Sequence, residues 1–349
     1  MAVFPLSQLQ LGLDTFGDIP VGPDGQRVSD AQAVRYVLEQ GVLADRVGVD
    51  VFGVGEHHRD DFAVSAPEIV LAAIAARTER IRLATAVTVL SSDDPVRVYE
   101  RFATLDALSH GRAEIIAGRG SFTESFPLFG YDMRDYEKLF EEKLDLLTAL
   151  LDEGQVTWSG SVRASLTEQH VYPKTESGRI TTWVGVGGSP ESVVRAARHG
   201  LPLVLGIIGG QPVRFAPYVD LFHRALTQLG KPLLPVAVHA PGLVADDDQT
   251  AVDLYWEHYR VMIARLGAER GWPPPTRDGF QFDVSEGAQH LGSPQTVATK
   301  IARTVRQLGI QRFTLKYSAG TLPHEAIMHS IELYGTEVIP RVRALLADE

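Results

Sequence analysis

The feature that most constrains this 349-residue chain is a rhythm of short apolar, β-rich runs alternating with longer helical segments. The runs are Leu9 to Leu13, Asp50 to Val54, Ile81 to Val89, Ala113 to Ala117, Thr182 to Val186, Pro202 to Ile207, Leu234 to His239 and Arg312 to Tyr317. Between and after them the sequence predicts helices over Asp30 to Val47, Pro67 to Thr78, Pro95 to Ser109, Tyr136 to Leu151, Pro190 to His199, Pro212 to Leu229 and Gln249 to Leu266. Two more follow, Pro294 to Leu308 and Pro323 to Leu346. Eight strand–helix units are the number that closes a barrel of parallel strands. The fold class expected is therefore α/β, a single (β/α)8 TIM barrel spanning residues 1–349 as one domain. A doubly wound open sheet also alternates strand and helix, but no G-x-G-x-x-G follows the first strand. Asp94-Pro95, Ser189-Pro190 and Ser293-Pro294 each set a capping side chain before a proline suited to a first helical turn. Two stretches break the rhythm, Glu153 to Arg179 and Gly267 to Gly292, the latter with Pro273-Pro274-Pro275. They are read as insertions of about 153–180 and 267–293, loops of a length that usually carries function or motion.

Composition narrows the function classes. A formal charge of −11 argues against a general affinity for nucleic acid. The absence of cysteine excludes disulfides, thiolate metal sites and cysteine nucleophiles. Met1 to Asp14 lacks a basic region followed by an apolar stretch, and no apolar run approaches the ~20 residues of a membrane span. The expected location is cytoplasmic.

In such a barrel, reactive groups stand at the C-terminal ends of the strands. Gly187 and Gly188 allow close backbone approach there, the helix from Pro190 directs free N–H groups to the same place, and Ser189 and Ser192 add hydroxyls. Together they suit a phosphate monoester; a glycine turn with a capped helix is the plain alternative. Arg119, flanked by Gly118 and Gly120, is placed to complete the cradle, unless it serves a surface ion pair. Glu56-His57-His58 admits a metal site with Asp60 and Asp61, as in a metallohydrolase, or an acid/base histidine beside a cofactor. Adjacent strand residues point to opposite sides, which disfavours a shared metal, and no metal ligand is assigned. Thr85-Ala86-Val87 leaves room for a flat ring or merely packs the barrel. Phe126 and Phe129 either wall an apolar pocket or belong to the core.

Phe52-Gly53-Val54-Gly55-Glu56-His57-His58 resembles the second-strand motif of the bacterial-luciferase-like monooxygenases. The resemblance continues from Ile81 through Asp94-Pro95-Val96-Arg97, Ser109-His110-Gly111-Arg112, Gly118-Arg119-Gly120 and Phe129-Gly130-Tyr131-Asp132, and again over Trp183 to Pro202. It implies a dimeric barrel using reduced FMN and often O2 on a small organic substrate, with electrons from a separate NAD(P)H:flavin reductase. By this match His57 is the active-site histidine that assists proton handling. Ala86 and Val87 lie beside the isoalloxazine ring, where the family often has a non-proline cis peptide. Arg119, Gly187, Gly188, Ser189 and Ser192 hold the flavin phosphate. The chain departs from luciferase at Gly118, where luciferase has a reactive cysteine, and at Gly188, where a glutamate precedes the phosphate-binding serine. A deazaflavin-dependent dehydrogenase on the same scaffold is the nearest alternative, followed by a flavin-binding protein with little turnover.

Overall fold

The computed structural model describes residues 5–347, so Met1 to Phe4 of the segment read above for a leader lie outside the described residues. Its strands are β1 (Gln10–Thr15), β2 (Val51–Val54), β3 (Arg82–Thr85), β4 (Thr88–Val89), β5 (Ala113–Gly118), β6 (Val156–Trp158), β7 (Leu166–Gln169), β8 (Thr181–Val186), β9 (Leu203–Gly206), β10 (Val236–Val244), β11 (His290–Gly292) and β12 (Arg312–Lys316). The helices are α1 (Asp30–Arg46), α2 (Pro67–Ala75), α3 (Pro95–Leu108), α4 (Ser125–Leu128), α5 (Tyr136–Leu150), α6 (Pro190–His199), α7 (Ala216–Gln228), α8 (Asp248–Arg270), α9 (Arg277–Ser285), α10 (Pro294–Leu308), α11 (His324–Leu333) and α12 (Ile339–Ala347). Strands β1, β2, β3, β5, β8, β9, β10 and β12 pair in parallel in that order, and β12 returns to β1 to close the ring. The (β/α)8 barrel expected from the rhythm is the fold observed. None of the described helices is long and apolar enough to cross a membrane.

Two-residue alternation divides each strand between two environments. Leu11, Leu13, Phe52, Val54, Ile115, Val184, Leu205, Val238 and Phe313 face the helices and are fully buried. The other set fills the interior in layers, beginning with a polar floor. There Glu114 accepts from Arg312 at 2.6 and 3.1 Å and from the Trp183 indole at 3.1 Å, and pairs with Arg82. Arg312 also donates to Gln10 at 2.9 Å. Above this floor lie Val51, Ala84, Ile116, Trp183, Val204 and Ala237.

The proline-marked helix starts behave as read. Asp94 accepts from the N–H groups of Val96 and Arg97, Ser189 from Ser192, and Ser293 from Thr296. Both insertions contain structure that the sequence did not announce. The first holds an antiparallel pair, β6 and β7, whose strands are too short to show a period. In the second, α8 runs on to Arg270, α9 follows the prolines, and β11 pairs with an extended β10. Helix α9 buries only Phe280, so it has no apolar stripe to detect. The closing helix is broken by a wide π turn over Tyr334–Val338, just before Pro340.

Candidate active site at the barrel mouth

One layer above Val51, Ala84, Ile116, Trp183, Val204 and Ala237, the same alternation brings Gly53, Ala86, Gly118, Gly185, Gly206 and His239 to the interior. Asp14, in register with both Gly53 and Lys316, completes the ring with Lys316. The mouth is therefore two-sided: five consecutive strands offer glycine or alanine, and the remaining three offer His239, Lys316 and Asp14. The Ala86–Val87 peptide is cis, and the Val87 side chain lies across the glycine wall. A Cβ added at Gly118 would stand 2.4 Å from Val87 Cγ2, and one at Gly185 would stand 3.1 Å from Val87 Cγ1. Glycine at Gly118 and Gly185 is what gives the Val87 side chain its place on this wall.

Beside it, β8 runs out into Gly187 and Gly188, the latter at φ +103°, and α6 begins. Nothing lies within 4 Å of where a Gly187 side chain would start. Ser189 caps α6 by accepting from the Ser192 N–H at 3.2 Å, and its hydroxyl donates to Ser192 Oγ at 2.8 Å. The structure thus brings Gly187, Gly188, Ser189 and Ser192 together at a helix N-terminus. Arg119 is found in the ion pair that the sequence offered as the alternative to the cradle. It pairs with Glu137, over the Tyr136 ring at 5.3 Å, and connects to Ser192 only through Arg195. Glu137 and Arg195 carried no signal in the sequence, being ordinary charged residues of amphipathic helices.

His57 and His58 part company. His58 Nε2 donates to Glu56 at 3.0 Å, while the other Glu56 oxygen accepts the Val89 N–H at 2.9 Å. His57 is enclosed by Phe62, Phe16 and Phe122, with ring centroids at 4.4, 4.9 and 4.9 Å. Among the described residues no three His, Asp or Glu side chains gather as a metal would require. Burial pushes the His57 imidazole down to about 3, against an opposing pull from Asp18, so it is neutral at physiological pH. His290, buried in β11, is likewise pushed down to about 3 by burial. Both rings take up a proton on unfolding at any pH between about 6.5 and 3. Their stability contribution is complete above pH 6.5 and falls as the pH drops toward 3, by at most ~1.4 kcal/mol per pH unit for each ring. Thermal melting at pH 7 and 4.5 is expected to show this loss, and His57→Gln to shrink it; an unchanged slope would count against the buried neutral His57.

Above the mouth, the end of α8 forms a roof. Arg59 pairs with Glu269 at 2.7 Å, Glu124 at 2.5 Å and Asp61 at 2.9 Å. Arg270 donates to the Ser121 carbonyl at 2.9 Å, and it and Arg59 each stand 4.9 Å from the Phe122 ring. Phe126 is buried, whereas Phe129 is exposed except where it meets His58. The residues to which the sequence reading gave no role are on the polar wall. His239 Nδ1 lies 2.7 Å from Asp14, and Lys316 contacts Asp18 at 3.0 and 2.9 Å. Their signal was available: Asp14 and Lys316 are charges at inward-facing positions near the C-terminal ends of two barrel strands.

The luciferase-like monooxygenase family profile matches residues 16–312. The limonene 1,2-monooxygenase of Rhodococcus erythropolis is 28% identical over 94% of this chain and 87% of its own length. Among solved structures, the FMN complex of the oxygenating constituent of 3,6-diketocamphane monooxygenase from Pseudomonas putida superposes with a TM-score of 0.76. It is 20% identical over 96% of this chain and 99% of that one. An F420-dependent secondary alcohol dehydrogenase superposes with a TM-score of 0.75 at 18% identity, covering 96% and 99%. With the family profile spanning most of the barrel and its mouth, this chain belongs to the luciferase-like monooxygenase family.

Proposed function

We propose that the protein is a monooxygenase that uses reduced FMN and O2 on a small organic substrate. The observation that carries this reading is the joining of a wall of glycine and alanine, crossed by Val87, to the open turn at the start of α6. A tricyclic ring fits the first and a phosphate fits the second. Ala86 and Val87 would lie against the ring. Gly187, Gly188, Ser189 and Ser192 would hold the phosphate, and Arg119 would join them by exchanging Glu137 for it. Bound reduced flavin supplies the electrons for oxygen chemistry. The chain's own contribution is to position both reactants and to exclude water beneath the α8 roof. His57 serves as a neutral imidazole, able to hydrogen-bond near the reacting edge without carrying charge. Electrons would come from a separate NAD(P)H:flavin reductase. A cytoplasmic homodimer, one barrel domain per subunit and joined through α2 and α3, accords with the exposed Ile69 on α2.

A dehydrogenase using F420, a deazaflavin, is the second reading, favoured by the likeness to the alcohol dehydrogenase and by the open space at Gly187. Anaerobic titration with reduced FMN tests both. Tight binding is expected, weakened by ~1–2 kcal/mol in Ser189→Ala and in Arg119→Ala through loss of phosphate contacts. Binding that ignores both substitutions, or no binding, would overturn the FMN reading and bring the deazaflavin forward.

A further inference from the structure

We propose that His239, oriented by Asp14, is the base that takes the hydroxyl proton of a phenolic substrate held in the barrel mouth. The inference rests on the oxygenase reading for its purpose but on its own geometry for its chemistry. An ionised carboxylate only accepts hydrogen bonds, so the 2.7 Å contact makes His239 Nδ1 the donor and leaves the Nε2 lone pair free. No described residue bonds Nε2. The Asp14 side chain is 2% exposed and that of His239 is 15% exposed, so the pair is dry at its carboxylate end and keeps its solvent contact through the imidazole. Asp14 Oδ1 is buried without a partner, which leaves it acceptor capacity to compensate charge on the ring.

The surroundings narrow what can be bound. The other titratable groups here are Lys316, Asp18 and the neutral His57. Lys316 and Asp18 are committed to each other and to the Ser318 carbonyl, the Ser318 hydroxyl and the Gly320 N–H. Lys316 therefore presents no free cation for a carboxylate or sulfonate; of the roof guanidiniums, Arg59 is held by Glu269, Glu124 and Asp61, and Arg270 by the Ser121 carbonyl and the Phe122 and Trp272 rings. The remaining lining is aromatic: Phe16 stacks on His239 at 5.9 Å and lies 6.2 Å from Phe62, which in turn is 6.1 Å from Phe122. A flat, uncharged body bearing one hydroxyl matches this set. A phenol, with an acidity near ~10, is within reach of an imidazole base. An aliphatic alcohol is far too weak an acid.

In the step, the phenol O–H bond breaks, its electron pair stays on oxygen, and the proton bonds to Nε2. Asp14 balances the resulting imidazolium, as in other carboxylate–histidine pairs. No electrons change hands. The phenolate produced is the electron-rich form that accepts an oxygen atom.

The test uses 4-nitrophenol, whose absorbance reports its ionisation, on the full-length protein with and without FMN. The wild type is expected to bind it and raise its acidity by ~10-fold or more, equivalent to one pKa unit. His239→Gln should abolish that shift, Asp14→Asn should reduce it, and both should bind 4-nitroanisole, which has no proton to give, as the wild type does. Thermal melting of each variant checks that it is folded. A shift that survives His239→Gln, or no binding of 4-nitrophenol by the wild type, overturns the proposal. FMN titrations on the same samples separate the two readings: loss of FMN binding with an intact probe shift sinks the flavin, and the converse sinks the dyad.

Discussion

Replacing Glu114 with glutamine is expected to destabilise the barrel by about 3–5 kcal/mol, the loss typical of breaking a buried ion pair from one side. Burial alone would push the Glu114 carboxyl upward, but the guanidinium groups of Arg312 and Arg82 outweigh it and hold the carboxyl below its ordinary range. The neutral amide would leave Arg312, 3% exposed, with its charge uncompensated beneath the apolar layer. With the amide oxygen kept on the Trp183 indole and Arg312 Nη1, the amide NH2 would face two donors, Arg312 Nη2 and Arg82 Nε, that Glu114 Oε1 accepts in the wild type. Urea unfolding followed by circular dichroism measures the effect, and a shift worth less than ~1 kcal/mol would show the floor to be dispensable.

The second large effect is expected at Gly118. Alanine there puts a methyl group 2.4 Å from Val87 Cγ2, closer than any real contact, with a short branched side chain as the obstacle. Overpacking of this kind costs about 1–3 kcal/mol, and here it would fall on the wall assigned to the flavin ring. FMN affinity should drop by roughly 10- to 100-fold at ~1.4 kcal/mol per decade. Adding Val87→Ala should recover most of it, because the two positions share one volume. Luciferase carries a cysteine at this position; here Val87 occupies that space. A double-mutant cycle of FMN titrations reads the coupling, and strictly additive losses would refute the shared-volume account.

The two halves of the mouth differed in how readable they were. The α6 turn was legible because its parts are contiguous: two glycines, a capping serine, a proline and a second serine fall within Gly187 to Ser192. The wall of small residues was half legible, since Ala86 and Val87 stood at a strand end while Gly53, Gly185 and Gly206 had no local meaning. The Asp14–His239 pair is separated by 225 positions and exists only because β12 closes on β1 and β10. Strand alternation tells which residues face inward, but not which inward residues meet across a closed ring. The eight barrel strands were legible from apolar runs and proline-marked caps. Helix α9 and strands β6 and β7 were not, because α9 buries only Phe280 and the two strands are only three and four residues long.

The roof over the mouth is made from one uninterrupted stretch, α8 through β11, inserted between β10 and α10. At the rim it meets the barrel largely through charged side chains, with Arg265 on Asp60 and Arg59 on Glu269. Such contacts tolerate exchange far better than a packed core does. The outer face of the segment is consequently replaceable, whereas its inner face is part of the barrel's packing. Tyr255, Phe280, His290 and Leu291 tie the same stretch into the core, so a library that varies only the exposed rim positions of α8 would change the mouth without drawing on the stability of the barrel.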